Sequence, residues 1–537
     1  MIRRRAKSCL VATAVTIGAL GAASTPAHPQ SSILEADLGG AERVFSRLAV
    51  AARPLPPAGP RAASMSPADR RAAVDATWGP GESTASKLQT FDTFWSYVDA
   101  RFAAFQGIDV DWRAMRDRYR PEIAAGVSRG RFAAIINHMS VALRDGHTIP
   151  WDLGVNLFTL PEPGVPLFGI GGWMGDTSGA CLTAQDDGSA LVYDVRSPHP
   201  LGLQRGDRIL GYDGKPWRDL YQQLLDEELP MWPLWWGSGP EGFEHSFVMS
   251  AGLNWHLFDT MDVFKQQTQT VAHVPTSLMP GVVWSRFCSE QLAVGGVPKP
   301  TYYGGDYVRW GVVNGTNVGY IYVWGWLDPA ADQFAAAVRE VTQVRHVDGL
   351  ILDFRFNTGG YLGAPFTGLA ALFPHPTASI GMDVRMRPDD HLKMKNLGLP
   401  GDFKLDFDWD RTREGNTRGK MSYDGPVAVL TGPGAISAGD FATLWADLLP
   451  RARTFGKSTA MAAGMPTQPA LGTVLDMGPD WDATIAETNT YRVGAPHDYL
   501  IHTDFVPDER VWLRPQDVAA GRDTVVEAAL RWLGASP

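Results

Sequence analysis

The chain has 537 residues, 45% of them hydrophobic and 20% charged, with a formal net charge of −10. That length gives roughly two to four domains with a sizeable core, and the composition excludes disorder over most of the chain. A pI near 5.7 excludes nucleic acid as the expected partner, since phosphate binding needs a basic surface and no basic run follows the first residues.

Arg3, Arg4, Arg5 and Lys7 form a basic start, Cys9 to Ala23 an apolar run, and small residues follow. Residues 1–27 therefore read as a signal peptide cleaved between Ala23 and Ala27, and the protein as exported, periplasmic or extracellular. A membrane anchor is the weaker alternative, because the run is short and rich in Ala and Gly. Cleavage would remove Cys9 and leave Cys181 and Cys288, which either pair or sit apart as small buried hydrophobes. No Cys-x-x-Cys or clustered His/Cys spacing exists, so no metal site is expected.

Residues 28–90, rich in Ala, Pro and Ser, read as a low-order arm or pro-segment with a helix near Ala41–Ala51. From Phe91 the pattern changes. Phe91, Phe94, Trp95, Val98, Phe102 and Phe105 recur at helical spacing; Trp112 to Tyr119 and Arg131 to Leu143 suggest two more helices. Residues 91–150 are thus a helical domain that ends at Asp145-Gly-His-Thr148. Over 165–225 the pattern turns to β-type runs, Ala190–Val195 and Leu203–Gly214, before a helix at Trp217–Leu225. A Gly-Asp turn, an apolar strand and an Asp-Gly turn ahead of a helix resemble the second half of a PDZ domain, which pairs extended peptides on a sheet edge; an ordinary hairpin is the plain alternative. Residues 226–310, with Trp232, Trp235, Trp236, Trp255 and Trp284, read only as an elaboration.

An α/β pattern occupies 311–537. Gly319–Val323, Asp348–Asp353 and Pro426–Leu430 read as buried strands, and Ala330–Gln343 and Ser437–Leu448 as helices, which argues for a mainly parallel sheet with covering helices. In Thr431-Gly-Pro-Gly-Ala-Ile-Ser437-Ala-Gly-Asp440 a Ser stands where a helix follows a strand, with the Ala438 amide beside it. A helix N-cap is the structural alternative. Asp353-Phe-Arg-Phe-Asn357-Thr-Gly359-Gly360 lets the backbone approach a ligand and aim N–H groups at it, although a tight turn would use the same glycines. His147, after a helix, is of the residue type that most often serves a Ser nucleophile as base, and most often it is structural.

Together these stretches resemble the tail-specific or C-terminal processing serine peptidases and, more closely, the tricorn core protease. The resemblance rests on Phe91-Asp-x-x-Trp95, Leu143-x-Asp-Gly-His-Thr148, Asp353-x-Arg-x-Asn-x-Gly-Gly360 and Ser437-Ala-Gly-Asp440, with Val506-Pro-Asp508 and a helix Val525–Leu533 closing the chain. It implies a crotonase/ClpP-like α/β core with the helical domain and PDZ-like module. It also implies a peptide or unfolded protein as substrate, no cofactor, and leaves homo-oligomerisation open. By the same resemblance Ser437 is the nucleophile, His147 the general base, and the amides of Gly359 or Gly360 and Ala438 the oxyanion donors. Family members of the Ser–Lys type carry their Lys farther on; the only Lys after Ser437 here is Lys457, and position 462 is Ala, so the Ser–His arrangement is preferred. The orienting acid is assigned to Glu487, with Asp498 as the alternative. With His147 as base, kcat/KM should rise through an apparent pKa near neutrality. A rival of another class is a peptide- or ligand-binding protein on a degenerate peptidase scaffold; an α/β-hydrolase esterase is disfavoured because Ala435-Ile-Ser437-Ala-Gly439 lacks Gly-x-Ser-x-Gly.

Overall fold

The computed structural model describes residues 66–535 except 157–158, 172–176, 235, 284–287, 300–305, 328, 375–376, 378, 386–393, 396–422, 466–474 and 496–497. The expected signal peptide and the helix near Ala41–Ala51 lie outside the described residues.

Six strands form the central sheet, in the order 308–312, 318–323, 349–353, 427–431, 452–456 and 509–510. The first pair is antiparallel and the others are parallel. Val318-Gly-Tyr-Ile-Tyr-Val323, Gly349-Leu-Ile-Leu-Asp353 and Val427-Ala-Val-Leu-Thr431 are buried along their whole length, as strands covered on both faces must be. Their side chains alternate between two cores. Ile321, Leu350, Leu352 and Val429 meet Phe334, Phe441 and Trp445 of the helices Ala330–Arg339 and Ala438–Ala446. Tyr320, Tyr322, Ile351 and Leu430 face the other way, onto Val525 and Ala529 of the helix Thr524–Trp532.

The helices Thr84–Arg101, Trp112–Ala125 and Arg129–Ala142 bury Phe91, Phe94, Phe132 and Ile136 in the same core as the first set. One expectation is corrected in this region. Within 66–90 the chain is not a low-order arm: Pro67–Trp78 is a helix, and Thr84 already begins the next. Ser66 caps the first through a reciprocal bond with Asp69, and Pro67 pre-sets the backbone, a local signal that bulk composition concealed.

A second, antiparallel sheet runs 180–184, 190–195, 208–212, 260–265 and 270–275. The amphipathic helix Trp217–Asp226 places Trp217, Leu220, Tyr221 and Leu224 in its core. Part of the 226–310 elaboration therefore completes this sheet, and the helix Pro240–Met249 packs in the same core through Phe247 and Val248. Cys181 and Cys288 are joined in a disulfide and buried, which settles the open question of their pairing.

Candidate active site

Ser437 sits between the strand Val427–Thr431 and the helix Ala438–Ala446, with φ 59° and ψ −117°. That backbone separates it from an ordinary cap. Ser66, Ser83 and Ser128 also precede helices, and all have φ between −61° and −66° with the side chain accepting an N–H two or three residues on. A non-Gly residue held in this region costs about 1–3 kcal/mol and persists only where its surroundings impose it. They do so here. The Ile436 N–H donates to Asn357 O (3.0 Å) and the Ser437 N–H to Asp440 Oδ2 (2.6 Å). Ser437 itself is only partly buried.

The Asn357–Gly360 loop is pressed against this turn. A Cβ at Gly359 would stand 2.9 Å from Ser437 Cβ, and one at Gly439 would stand 2.6 Å from Asn357 O, so both contacts require glycine. Asn357 donates from Nδ2 to Val323 O (3.0 Å) and accepts the Gly359 N–H at Oδ1 (3.1 Å). The Gly359 amide is therefore engaged, whereas those of Gly360 and Ala438 have no acceptor among the described residues. Beneath the loop, fully buried Arg355 binds both Asp353 and Asp523, and Tyr320 donates to Asp353 at 2.5 Å.

His147 follows the helix Arg129–Ala142 by five residues of turn, and its N–H donates to the buried Asp145 Oδ1 at 2.8 Å. Burial without a charged partner pulls its imidazole down to about 4, and burial pushes the Asp145 carboxyl up to about 6. His147 Nδ1 has no hydrogen-bond partner among the described residues. The segment carrying Glu487 does run alongside: Thr484 Oγ1 donates to His147 O (2.6 Å) and the Ala486 N–H to Thr148 Oγ1 (3.0 Å). Glu487, just ahead of the strand Thr488–Arg492 rather than inside it, is buried and accepts from the Tyr97 hydroxyl at 2.5 Å, with Arg101 at 3.9 Å. Asp498 is exposed on a turn.

The segment 457–462 links these pieces. The Ala460 N–H donates to Ala435 O, Ala460 O accepts from Ser238 and Gly239, and a Cβ at Gly146 would lie 3.6 Å from Ala462 Cβ. The Met461 N–H donates to Asp440 Oδ1 at 2.7 Å. At its start Lys457 turns away: Nζ donates to Ala184 O (3.0 Å), pairs with Asp186 (3.0 Å) and lies over the Trp512 ring. Ser437, Ala438 and Gly359 are thus in direct contact, and Gly146, next to His147, packs on Ala462 of the strap. No hydrogen bond joins the His147 ring to Ser437, Glu487 or Asp498 among the described residues. Asp440 is the site residue that sequence reasoning passed over; its spacing from Ser437 matches a capping box, which was the available signal. Among the described residues no group of three or more His, Cys, Asp or Glu could hold a metal ion.

Residues 317–509 match peptidase family S41, and residues 83–140 match the tricorn protease C1 domain. The protein is a serine-type peptidase, and the span that matches family S41 contains Ser437, Gly359, Gly360 and the 457–462 strap. No curated protein matches the chain. Among solved structures, mature CPAF complexed with lactacystin aligns at 14% identity and TM-score 0.54, over 84% of this chain and 97% of that one. Mature CPAF alone aligns at 13% and 0.53, over 84% and 96%. The photosystem II D1 C-terminal processing protease aligns at 14% and 0.38, over 81% and 94%. The protein has a mixed α/β fold with helices and several sheets, as the sequence suggested.

Proposed function

We propose that this S41 peptidase is an exported endopeptidase that cleaves peptides or unfolded proteins through an acyl-enzyme on Ser437, with His147 as general base. The observation that carries the reading is the positive-φ backbone of Ser437 at a strand-to-helix turn, which no other helix-capping Ser among the described residues adopts. Such strain at a polar, accessible residue fits a nucleophile better than a cap.

Ser437 Oγ attacks the carbonyl carbon while His147 takes its proton; the C–N bond then breaks and His147 returns the proton to the leaving amine. Water, deprotonated in turn by His147, releases the acid product. The unengaged amides of Ala438 and Gly360 are the proposed oxyanion donors, with Gly359 joining once its bond to Asn357 Oδ1 is exchanged. An imidazole with its pKa pulled well below 6.5 is neutral at pH 7, as a base must be. Glu487 remains the proposed orienting acid, because the segment before it is bonded to His147 through the Thr484 hydroxyl and to Thr148 through the Ala486 N–H; it must exchange Tyr97 for the imidazole to act. Exposed Asp498 has less support.

Export is supported by the N-terminal pattern and by the Cys181–Cys288 bond, which suits an oxidising compartment. A PDZ-like role in holding substrate ends is supported by the antiparallel sheet of 180–275 with the helix Trp217–Asp226 against it. The unpartnered His147 Nδ1 favours one second reading, a binding protein on an inactive scaffold. Hydrolysis of an unfolded protein or peptide decides between them: Ser437→Ala and His147→Ala should each lower kcat/KM by roughly 10³-fold or more. Peptide binding without turnover in the wild type would establish the second reading.

A further inference from the structure

The sequence contains the Ser-x-x-Asp spacing at two helix starts, and the structure uses it in two ways. At Ser66-Pro-Ala-Asp69 the pair is exposed. Asp69 Oδ2 accepts both the Ser66 N–H (3.1 Å) and its hydroxyl (2.6 Å), while Ser66 Oγ accepts the Asp69 N–H (3.2 Å). Everything Asp69 does there stays within one helical turn, and Ser66 keeps an ordinary extended backbone, φ −66°.

At Ser437-Ala-Gly-Asp440 the carboxylate is fully buried and its two oxygens are divided. Oδ2 accepts the Ser437 N–H at 2.6 Å; Oδ1 accepts the Met461 N–H at 2.7 Å, 21 residues along the chain. The second bond is foreign to a cap. It ties the turn that carries the nucleophile to the strap whose Ala460 bonds Ala435 and Ser238, and whose Ala462 lies against Gly146. Ile436, Ala460 and Ala462 close the seam as a small apolar cluster. One carboxylate thus spans the two backbones that set where Ser437 stands and where His147 stands. No ion pair compensates it among the described residues, and burial pushes its carboxyl up to about 7. A buried carboxylate with no counter-ion is costly for a fold to keep if it only caps a helix.

We propose that Asp440 is the positioning residue of the site, holding Ser437 in its positive-φ conformation and fixing its distance from His147 through the 460–462 strap. This deepens the serine-peptidase reading and rests on it. Asp440 touches no substrate atom, so its loss should impair the acylation step and leave substrate binding intact.

The test compares wild type, Asp440→Asn and, should Asn disturb folding, Asp440→Glu, using the full chain, a cleaved peptide and melting temperature as the folding control. Asn keeps the volume but turns one acceptor into a donor facing an N–H. Glu keeps the charge and moves it by one methylene. The proposal expects kcat to fall by roughly 10²-fold with KM within about twofold, in protein that still melts cooperatively at the assay temperature. A variant with wild-type kcat and a lower melting temperature would overturn it and leave Asp440 a structural cap. A rise in KM at constant kcat would also overturn it, by placing the effect in binding. If the wild type itself cleaves nothing, the peptidase reading fails first and this proposal falls with it.

Discussion

His147 is the residue at which structure and sequence part most clearly. Sequence chemistry expects an imidazole titrating near neutrality; in the half-buried His147, whose Nδ1 is buried without a hydrogen-bond partner among the described residues, desolvation pulls it down to about 4. The direction of the rate profile follows. The base works when unprotonated, so kcat/KM must rise with pH through the free-enzyme pKa, and a depressed value moves that rise into the acid range. We predict an acid limb centred clearly below 6.5, measured as kcat/KM between pH 4 and 9. A midpoint at or above 6.5 would mean that Glu487 has left Tyr97 and holds the imidazole already in the free enzyme, before substrate binds. Ser437 and His147 were legible as residues in a motif. The engagement of Glu487 by Tyr97 and the second oxygen of Asp440 were not, because their partners lie 390 and 21 residues away in the chain. Sequence periodicity carries no information about such pairs.

At the scale of elements, the buried strands at 318–323, 349–353 and 427–431 were readable because continuous apolar runs bounded by Gly, Asp and Pro have few other uses. The helix Pro67–Trp78 was missed because an Ala- and Pro-rich stretch looks unstructured until its Ser66–Asp69 cap is weighed. The helix Pro240–Met249 was missed because Glu241, Glu244, His245 and Ser246 are interspersed with its apolar residues, which blurs the helical period. One element-level device holds the loop that packs on Ser437: Arg355, fully buried between Asp353 and Asp523. Arg355→Met would strand two buried carboxylates and should cost about 3–5 kcal/mol. Denaturant unfolding at pH 7 measures it; a loss below about 1 kcal/mol would show that the loop does not depend on the network.

Across the whole molecule, the site is assembled from parts far apart in sequence: His147 behind the N-terminal helices, Asn357–Gly360 and Ser437 at the ends of two neighbouring parallel strands, and the 457–462 strap leaving a third. Each part alone has an ordinary structural explanation; what favours chemistry is the packing of the Asn357–Gly360 loop and the bonding of Asp440 at the positive-φ Ser437. The central claim is therefore that Ser437 is a nucleophile. Treatment of the folded full chain with a serine-directed fluorophosphonate, followed by mass spectrometry of its peptides, tests it directly. The account predicts a single adduct on the peptide containing Ser437, absent in Ser437→Ala and formed far more slowly in His147→Ala. No adduct at Ser437 on folded wild-type protein, or labelling unchanged by Ser437→Ala, would contradict it.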